Sequence, residues 1–332
     1  MAKKWKNFSS RLVKIIKQSK RIVIGTHIDP DSDGICAALS TAALVKHYKK
    51  TKPLLYCHSP VPSKHNFLLK GCRFHNKLPD FDLLIAVDST DLARVIPLQE
   101  QKKTDFSKKS IINIDHHKSN TRFGNLTYVD ENASSACEII YRLFNRLRIR
   151  LTRPVAEILY SGLYIETGGF VYPNTTKEAL NTAAELVKTG VQPSPLVKRL
   201  HARTIQGTKL LSAALNTIEI KKGVGYMYVT QAMLKRHHAD MMDSEHFISF
   251  LQAIKGVRIA VFLREEKDGT RISLRSDGAI DVNEVAKKFG GGGHRLAAGT
   301  RIETGIRAAK RKIARAILAA IKRHSGLIHS GI

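Results

Sequence analysis

The sequence predicts an α/β fold, in which an N-terminal doubly wound, largely parallel sheet is followed by a smaller α+β domain. Short apolar runs alternate with helical segments through the first half of the chain, which is the pattern of βαβ units. Most of these runs are apolar on both faces, as is typical of strands buried in a parallel sheet. The 332 residues suffice for two domains, and 43% hydrophobic residues can fill a core in each.

Five strands and four helices are predicted in the first domain. The strands cover 21–27, 53–58, 82–88, 110–116 and 125–130. The helices cover 34–49, 136–148 behind a capping box of Ser135 and Glu138, a segment after Pro154, and a segment that a capping box of Thr175 and Glu178 opens and Gly190 closes.

A linker is predicted at 191–195, where two prolines break both helix and strand. The second domain should contain, after a connecting helix over 206–219, strands at 223–230, 257–265 and 271–277, a hairpin turn at 267–269, a helix capped by Asp281, glycines at 290–293, a strand near 298–302 and a C-terminal helix. We therefore assign 1–190 to the first domain, 191–219 to the linker and connecting helix, and 220–332 to the second domain.

The chain is strongly basic, with 55 Lys and Arg against 28 Asp and Glu and a formal charge of +27. Residues 1–20 and 304–324 each carry seven of these cations and no acid. In the second segment Ile and Ala recur at helical spacing, which predicts a helix that docks one face and exposes its cations. Such a surface either attracts a polyanion or only solvates the protein. We favour nucleic acid over a membrane as the partner because the apolar face lacks Trp and Phe.

The composition excludes several classes of protein. No apolar run approaches the ~18 residues that a membrane span requires, and the N-terminus lacks a signal-peptide pattern. Cys36, Cys57, Cys72 and Cys137 form no CxxC pair, so neither a disulfide framework nor a cysteine zinc site is encoded. We expect a cytoplasmic protein with reduced thiols and no membrane partner.

Metal-ligand residue types follow three of the predicted strands. Segment 27–33 supplies a histidine and three aspartates, segment 88–91 two aspartates, and segment 115–117 the run Asp-His-His. One Asp at a strand end is usually a helix cap or a turn residue, but here three strands end at one edge of a parallel sheet. So many carboxylates would repel one another without a cation. Carboxylate and imidazole ligands together suit Mn²⁺ or Mg²⁺, with Fe or Zn as alternatives.

Two other motifs do not match their patterns. Segment 29–34 resembles the start of an EF-hand loop, but Ser40 stands where a bidentate Glu is needed. The glycines at 290–293 are followed by His294 and Arg295, where a nucleotide-triphosphate loop has Lys and then Ser or Thr. We therefore predict neither an EF-hand nor a nucleotide triphosphatase.

The order of four motifs points to one family. The motifs are His27-x-x-Pro30-Asp31-x-Asp33, Asp88-Ser89, Asp115-His116-His117-x-Ser119-Asn120 and, behind Arg275-Ser276, Gly291-Gly292-Gly293-His294-x-x-Ala297-Ala298-Gly299. In these motifs the chain resembles the DHH phosphoesterase family, in the subgroup with an appended DHHA1 domain. It is most similar to the short members that consist of these two domains, the nanoRNases and phosphoadenosine phosphate phosphatases.

The resemblance implies a site for two divalent cations, with Mn²⁺ as the first choice and Mg²⁺ as the alternative. One metal would be held by His27, Asp31 and Asp88, and the second by Asp33, Asp88 and His116, with Asp88 as the bridge. Glu166 would supply a further ligand. The family usually has Asp at that position, so the longer side chain departs from the pattern and affects the second metal.

The resemblance also implies catalytic and substrate-binding roles. His117 would donate to the phosphate or the leaving oxygen, or else orient a neighbouring carboxylate, and Asp115 would orient His116. The substrate would be bound by Arg275, Ser276, Gly291, Gly292, Gly293 and His294 of the second domain and by Asn174 and Thr175 of the first. A turn residue is the alternative for His294, and a plain helix cap is the alternative for Thr175.

The implied activity is hydrolysis of short RNA from an end to mononucleotides, together with removal of the 3′-phosphate from adenosine 3′,5′-bisphosphate, by water activated between two metals. A phosphodiesterase acting on cyclic or linear dinucleotides is the alternative enzyme. A basic nucleic-acid-binding protein with a weakened metal site is the alternative from another class, motivated by Glu166 and the net charge. Pyrophosphatases are excluded because they lack the glycine-rich motif. Substrate length, cleavage polarity and the formation of a homodimer stay open.

Overall fold

The structure is a computed structural model that describes residues 2–62 and 65–329, with side chains described at 5–62, 65–293 and 295–323. Tertiary contacts divide the chain into two units, Met1–Ala202 and Arg203–Ile332. Each unit contains its own sheet and its own hydrophobic core. The predicted fold class, a parallel α/β sheet followed by a smaller sheet with helices, is confirmed.

The strands of the first unit are short and mostly buried. In chain order they are β1 Ile22–Gly25, β2 Leu54–Tyr56, β3 Phe74–His75, β4 Leu83–Val87, β5 Ser110–Asp115 and β6 Leu126–Val129. All neighbours are parallel, and the order across the sheet is β3-β2-β1-β4-β5-β6. Five of the six strands were predicted, whereas β3 has only two residues and leaves no apolar run in the sequence.

Helices follow the strands of the first unit. They are α1 Ala2–Gln18, α2 Ser32–Tyr48, α3 Asn66–Leu69, α4 Leu92–Val95, α5 Leu98–Gln101, α6 Ala136–Arg146, α7 Arg153–Glu166, α8 Lys177–Lys188 and α9 Pro193–Leu200. Because successive side chains of a strand point to opposite faces, β1 contributes to two cores. Ile24 packs in the larger core with α2, α6 and α7, while Val23 packs in a smaller one with Val95 of α4.

The strand order creates a crevice at the carboxyl ends of β1 and β4. These two strands are neighbours in the sheet, but β2 lies beyond β1 and β5 lies beyond β4. The connections therefore leave β1 and β4 in opposite directions, and open α/β sheets bind ligands at such a switch point. The residues that follow β1, β4 and β5 are the predicted metal ligands.

The basic N-terminal segment forms α1, a helix that was not predicted. Phe8, Leu12 and Ile16 recur every four residues and are buried in the core of the first unit. Trp5 packs on Tyr128 of β6, with 4.2 Å between ring centroids. The cations described between these residues are exposed, so the helix docks its apolar face and presents a basic one.

The second unit has a mixed sheet. Its strands are β7 Glu219–Lys221, β8 Val224–Val229, β9 Ile259–Glu266, β10 Gly269–Ser276, β11 Gly292–His294 and β12 Ala297–Ile302. The order is β11-β12-β10-β9-β8-β7, and β8 with β9 is the parallel pair among them. Its helices are α10 Ile205–Leu215, α11 Gln231–His237, a 3-10 helix Met241–Ser244, α12 Phe247–Gln252, α13 Val282–Lys287 and α14 Ile306–His329.

Helices cover both faces of the second sheet in part. Leu263 and Leu274 pack with α13 and α14 on one face, where α14 buries Ile313. On the other face Met227 and Phe262 pack with α10 and α12. None of the described helices is both long enough and apolar enough to cross a membrane.

Three local predictions differ from the structure. The N-cap of α8 is Thr176, whose hydroxyl accepts from the N–H of Ala179, rather than Thr175. The segment predicted as a break begins α9 at Pro193, because proline is compatible with the first turn of a helix, where its N–H would have no partner. The α6 capping box is incomplete, since Glu138 accepts from the N–H of Ser134 and not from that of Ser135.

Candidate functional site

The turns after three parallel strands bring the predicted ligands together. His27 lies two residues beyond β1, Asp88 one residue beyond β4, and Asp115 ends β5 with His116 directly after it. Asp88 has φ of 53°, a left-handed conformation that costs a non-glycine residue energy and is concentrated at functional sites. The backbone therefore turns sharply at Asp88, and its side chain is buried to within 2% exposure.

One group of side chains surrounds His27. Its Nε2 lies 3.6 Å from Oδ2 of Asp31 and 3.7 Å from Oδ2 of Asp88. Single ligand atoms of these three residues all lie within 4.8 Å of one another, close enough to share one cation. Asp31 is also the N-cap of α2, because its Oδ1 accepts from the N–H of Gly34 at 3.0 Å. Its side chain is 56% exposed, so this group opens to solvent.

A second group lies on the other side of Asp88. Nε2 of His116 is 3.4 Å from Oδ1 of Asp88 and 3.8 Å from Oδ2 of Asp33. Nδ1 of His117 is 3.6 Å from the same oxygen of Asp88. The ligand atoms of Asp88, Asp115, His116 and His117 lie within 4.8 Å of one another. Asp88 is the member that both groups share.

Asp33 is fixed by the start of a distant helix. Its Oδ2 accepts from the N–H of Ala136 at 2.6 Å, and its Oδ1 accepts from the N–H of Cys137 at 3.0 Å. These are the first two residues of α6, where backbone N–H groups lack partners within the helix and the helix dipole favours negative charge. The carboxylate of Asp33, fully buried, is thus positioned by backbone contacts across 103 and 104 residues of sequence.

Backbone carbonyls orient two of the imidazoles. Nδ1 of His27 lies 2.8 Å from the carbonyl of Ile28, and Nδ1 of His116 lies 3.3 Å from that of Ala133. A carbonyl only accepts, so each contact favours the tautomer with hydrogen on Nδ1. Nε2 then keeps its lone pair towards the carboxylates, as metal-binding histidines require.

Asp115 contacts a different histidine from the one expected. Its Oδ1 lies 2.7 Å from Nδ1 of His117 and accepts from the backbone N–H of His116. Residues two apart on an extended chain point to the same side, which is why the carboxylate meets the side chain of His117. Its Oδ2 accepts from the amide of Asn120 at 2.6 Å. Asp115 therefore orients the imidazole of His117, and its hydrogen bond to His116 is to the backbone N–H.

Three side chains of this cluster have raised pKa values. Burial alone would lower the pKa of His27, but the hydrogen bond to Asp31 and the charges of Asp31 and Asp88 raise it to about 9. The same opposition raises the pKa of His116, where Asp88 and Asp33 outweigh burial. Burial and the charge of Asp88 raise the pKa of Asp33 to about 7. The buried negative charge thus demands compensation, which divalent cations also supply.

Glu166 belongs to the same electrostatic environment. It is the last residue of α7, and burial together with the charge of Asp31 raises the pKa of its carboxyl well above the usual range. Asp33, Asp88 and His116 also act on it. Its carboxylate is absent from the two tight ligand groups found among the described residues. Glu166 therefore lies near enough to the cluster for its charges to act on the carboxyl.

The cluster fits metal binding for a specific reason. Oδ1 of Asp88 is buried and accepts no hydrogen bond, although both histidines of the second group lie within 3.6 Å of it. Leaving a buried carboxylate oxygen without a partner is unfavourable, and a bound cation removes that penalty. The donor set of carboxylates and imidazoles suits Mn²⁺ and other first-row metals.

Family profiles match both units of the chain. The DHH family, N-terminal domain, covers residues 21–163, and the DHHA1 domain covers residues 222–323. The bifunctional oligoribonuclease and PAP phosphatase NrnA of Thermus thermophilus is 33% identical over 85% of this chain and 84% of its own length. The chain belongs to the DHH family.

Two further proteins are similar to this one over most of its length. The crystal structure of an exopolyphosphatase-related protein from Bacteroides fragilis has a TM-score of 0.87 at 22% identity, and the match covers 96% of this chain and 98% of that one. This similarity supports the fold. The cyclic-di-AMP phosphodiesterase GdpP of Geobacillus thermodenitrificans is 25% identical over 86% of this chain but over only 45% of its own length.

In the DHHA1 domain the predicted glycines pack against β12. A Cβ at Gly291 would lie 2.2 Å from the carbonyl oxygen of Gly299, and one at Gly293 would lie 2.5 Å from that of Ala297. Gly292 has open space, with one atom at 3.9 Å. Two of the three glycines are therefore required by strand packing, whatever else they bind. His294 ends β11, and its side chain lies outside the described part of the structure.

The remaining predicted substrate residues make local contacts. Arg275 donates from Nη1 to the carbonyl of Leu274 in its own strand, at 3.0 Å. Ser276 is buried and accepts from the N–H of Gly278, closing a turn after β10. The structure places both residues at the carboxyl end of β10, beside β12.

Asn174 and Thr175 lie in the loop between α7 and α8. The amide of Asn174 donates to the carbonyls of Ser134 and Glu166, at 3.2 and 3.1 Å, and so joins the ends of two helices at the cluster. Oγ1 of Thr175 is buried without a hydrogen-bond partner. Asn174 therefore has a structural role in the loop that follows Glu166.

Sequence reasoning missed several residues that shape the DHH site. A Cβ at Gly34 would lie 2.3 Å from Oγ1 of Thr26 and 3.3 Å from Nε2 of His27, so any larger residue would enter the site. A Cβ at Gly162 would lie 2.3 Å from Sγ of Cys137, beside Asp33. The signal for Gly34 was present, because glycine in the first turn of a helix has low helix propensity and needs another explanation.

Proposed function

We propose that this chain is a metal-dependent phosphoesterase that hydrolyses short oligoribonucleotides to mononucleotides and removes the 3′-phosphate from adenosine 3′,5′-bisphosphate. The observation that carries the proposal is the buried cluster around Asp88, whose Oδ1 has no hydrogen-bond partner. The similarity to an oligoribonuclease and PAP phosphatase over most of both chains supports these substrates. We also keep the prediction that the enzyme works in the cytoplasm.

The proposed ligand sets share Asp88. His27, Asp31 and Asp88, which form one of the two tight groups, would hold one divalent cation. Asp33, Asp88 and His116 would hold the second, with Glu166 as a further ligand; Asp88 and His116 belong to the other tight group, and Asp33 lies 3.8 Å from His116. Mn²⁺ is our first choice and Mg²⁺ the alternative. When bound, such cations neutralise charge on the phosphoryl oxygens and make a water nucleophilic near neutral pH.

His117 is proposed to act on the phosphate itself. Asp115 holds Nδ1 of His117 at 2.7 Å, which fixes the ring and favours hydrogen on Nδ1. The side chain of Asn120 holds the other oxygen of Asp115. In its charged form the oriented imidazolium would donate to a phosphoryl or leaving oxygen, where negative charge develops.

We assign substrate binding mainly to the DHHA1 domain. Arg275, Ser276, Gly291, Gly292, Gly293 and His294 are proposed to bind a terminal nucleotide of the substrate. Gly292 is the best placed of the glycines for this role, because among the described residues a Cβ there would meet one atom, at 3.9 Å. Backbone N–H groups without side chains can approach phosphate oxygens closely. Asn174 and Thr175 are kept as a proposed lining on the side of the metal cluster.

A digestion panel tests the proposal. The purified protein with Mn²⁺ is given labelled RNA and DNA of two to twenty nucleotides, adenosine 3′,5′-bisphosphate, and cyclic and linear dinucleotides. We expect the shortest RNAs and the bisphosphate to be the best substrates. Preference for a cyclic dinucleotide would favour the phosphodiesterase alternative, for which the similarity to GdpP is the support. Binding of RNA without turnover of any substrate would instead identify a nucleic-acid-binding protein.

A further inference from the structure

The second sheet carries a row of arginines on the face that packs against α10 and α12, next to Phe262 of that core. Arg264 of β9 pairs directly with Arg271 of β10. Directly opposed residues of antiparallel strands share a face, and so do alternate residues of one strand. Ser273 and Arg275 of β10 therefore lie on the same face as Arg264 and Arg271.

Among the described residues, no carboxylate pairs with Arg264 of this row. Its Nε is buried without a hydrogen-bond partner, and the contact given for its Nη2 is the hydroxyl of Ser273 at 3.3 Å. Its guanidinium lies 5.6 Å from the ring centre of the buried Phe262. Glu266, two residues further along β9, instead accepts from Nε of Arg301 at 2.9 Å. Nε of Arg264 thus donates no hydrogen bond, and the contact given for Nη2 is with a neutral hydroxyl.

The surroundings of Arg264 disfavour its positive charge when no ligand is bound. Burial lowers the pKa of Arg264 to about 10, and the charge of Arg271 adds to the effect. The group is still charged at neutral pH, so the fold keeps a desolvated cation next to others of the same sign. A buried cation is tolerated when an anion completes its environment.

Open space lies beside the row. Gly299 of β12 pairs with Ser273, and a Cβ built on Gly299 would meet one atom, the carbonyl oxygen of Ile272, at an ordinary 3.5 Å. Its neighbour in the row, Arg275, pairs with the small residue Ala297. Among the described residues, this face of the sheet is therefore open at Ser273 and Gly299, and we call this space the recess.

We propose that Arg264, Arg271 and Ser273 form a phosphate subsite that takes a backbone phosphate of a nucleotide chain. The planar guanidinium fork matches phosphate oxygens in geometry and charge. Arg271 and Arg275 are four residues apart, about 13 Å along the strand, which exceeds the spacing of neighbouring phosphates. The subsite therefore binds a different phosphate from the one assigned to Arg275. The identification of that phosphate as part of an RNA rests on the proposed function.

Binding in EDTA tests the subsite separately from catalysis. The full-length protein is titrated calorimetrically with the 5′-phosphorylated trinucleotide pApApA, with AMP and with inorganic phosphate. We expect Arg264→Gln to weaken pApApA binding by about tenfold and to leave AMP nearly unchanged. Gly299→Val, which fills the recess and keeps every cation, should weaken pApApA to a similar degree. Lys255→Gln removes one exposed charge from the same unit and serves as the matched control.

Three outcomes would overturn the subsite. One is equal affinity for pApApA in the wild type and in Arg264→Gln. Another is an Arg264→Gln variant that loses binding of inorganic phosphate and keeps its affinity for pApApA. The third is a lowered melting temperature in phosphate-free buffer for Arg264→Met, because a structural arginine would stabilise the fold and a binding arginine should not. A wild type that binds pApApA through Arg264 yet hydrolyses nothing with Mn²⁺ would contradict the proposed function and leave the subsite intact.

Discussion

At the scale of single residues, Asp88 is the central residue of the candidate metal site. It is buried, it adopts a left-handed φ, and it is shared by both ligand groups. Asp91, three residues later, caps α4 through the N–H of Arg94 and belongs to neither group. Two aspartates that looked equivalent in the sequence thus have different roles, because the chain turns at Asp88 and begins a helix after Asp91.

Asp88→Asn should abolish hydrolysis of every substrate while the protein stays folded. The amide removes negative charge from the oxygen that both groups share, so both cations would be weakened. We expect kcat to fall by more than about tenfold, a barrier increase above ~1.4 kcal/mol. Asp91→Asn is the matched control, since Asn also caps helices well. Retention of more than a tenth of the wild-type kcat by Asp88→Asn would contradict the bridging role.

Gly34→Ala should damage the site although it improves helix propensity. Alanine is favoured over glycine inside a helix by about 1 kcal/mol. The new Cβ would nevertheless lie 2.3 Å from Oγ1 of Thr26 and 3.2 Å from Oδ2 of Asp88. We expect weaker Mn²⁺ binding by calorimetry and reduced kcat. Gly305→Ala, where a Cβ would meet nothing within 4 Å, is the control and should change neither quantity.

The protonation of His27 predicts how metal-free stability depends on pH. Burial lowers its pKa, but Asp31 and Asp88 raise it to about 9 from the usual 6.5. A pKa raised by folding contributes stability that is fully present below pH 6.5 and is lost as the pH rises through 9. The melting temperature in EDTA should therefore fall over this window. Mg²⁺ should raise it more at the alkaline end, because a cation replaces the proton.

Thermal unfolding with and without Mg²⁺ checks this dependence, and His27→Gln is the control because it removes the titrating group. The variant should show a smaller decline in EDTA than the wild type, and the remaining decline is expected from His116, whose pKa Asp88 and Asp33 also raise. A wild-type melting temperature that is flat or rises between pH 6.5 and 9 would show that the proton on His27 does not stabilise the fold.

At the scale of elements, strands were easier to predict than the contacts between them. Fully apolar runs such as 83–87 identify a buried parallel strand without further information. Helix α1 was missed because its six cations hid the four-residue spacing of Phe8, Leu12 and Ile16. The support of Asp33 by the start of α6 could not be predicted, since no local pattern relates residues 103 positions apart.

Helix α14 presents its cations unequally. Arg307, Arg311 and Arg315 are exposed and recur every four residues, about 6 Å along the helix axis. Lys310 was grouped with them in the sequence, but it lies 2.7 Å from Glu219 and over the ring of Tyr226. The stripe of cations that a polyanion could contact therefore consists of these three exposed arginines and, nearer the end of the helix, the exposed Lys322 and Arg323.

This stripe predicts a length-dependent salt effect. If the three arginines contact RNA phosphates, each contact adds about −0.7 to the slope of log affinity against log salt for a single strand. Replacing them with Gln should flatten the slope for a twelve-nucleotide RNA and leave that for a dinucleotide unchanged. Lys310→Gln is the control, because its charge is already paired. Equal slopes before and after replacement would mean that the helix only solvates the surface.

At the scale of the whole molecule, the candidate metal ligands and most of the residues proposed to bind substrate lie in different units. The residues that could hold metal lie in the first unit, and Arg275 with the glycine-rich strand lies in the second. The order of motifs predicted this division, since the family signature ends long before the glycines begin. The sequence could not predict which glycines serve packing, because that depends on the approach of β12 to Gly291 and Gly293.

Arg275→Ala should therefore raise KM for dinucleotides and leave metal binding unchanged. A residue that grips substrate equally in the ground and transition states changes KM and not kcat. Loss of one charge-assisted hydrogen bond predicts an increase of about tenfold or more. Calorimetry with Mn²⁺ should give the wild-type stoichiometry and affinity, because the ligand groups belong to the other unit. Arg258→Ala, which removes an exposed arginine paired with Asp277 near the same strand end, is the control. Reduced metal binding in Arg275→Ala, or a fall in kcat at unchanged KM, would contradict the assignment of substrate grip to the second unit.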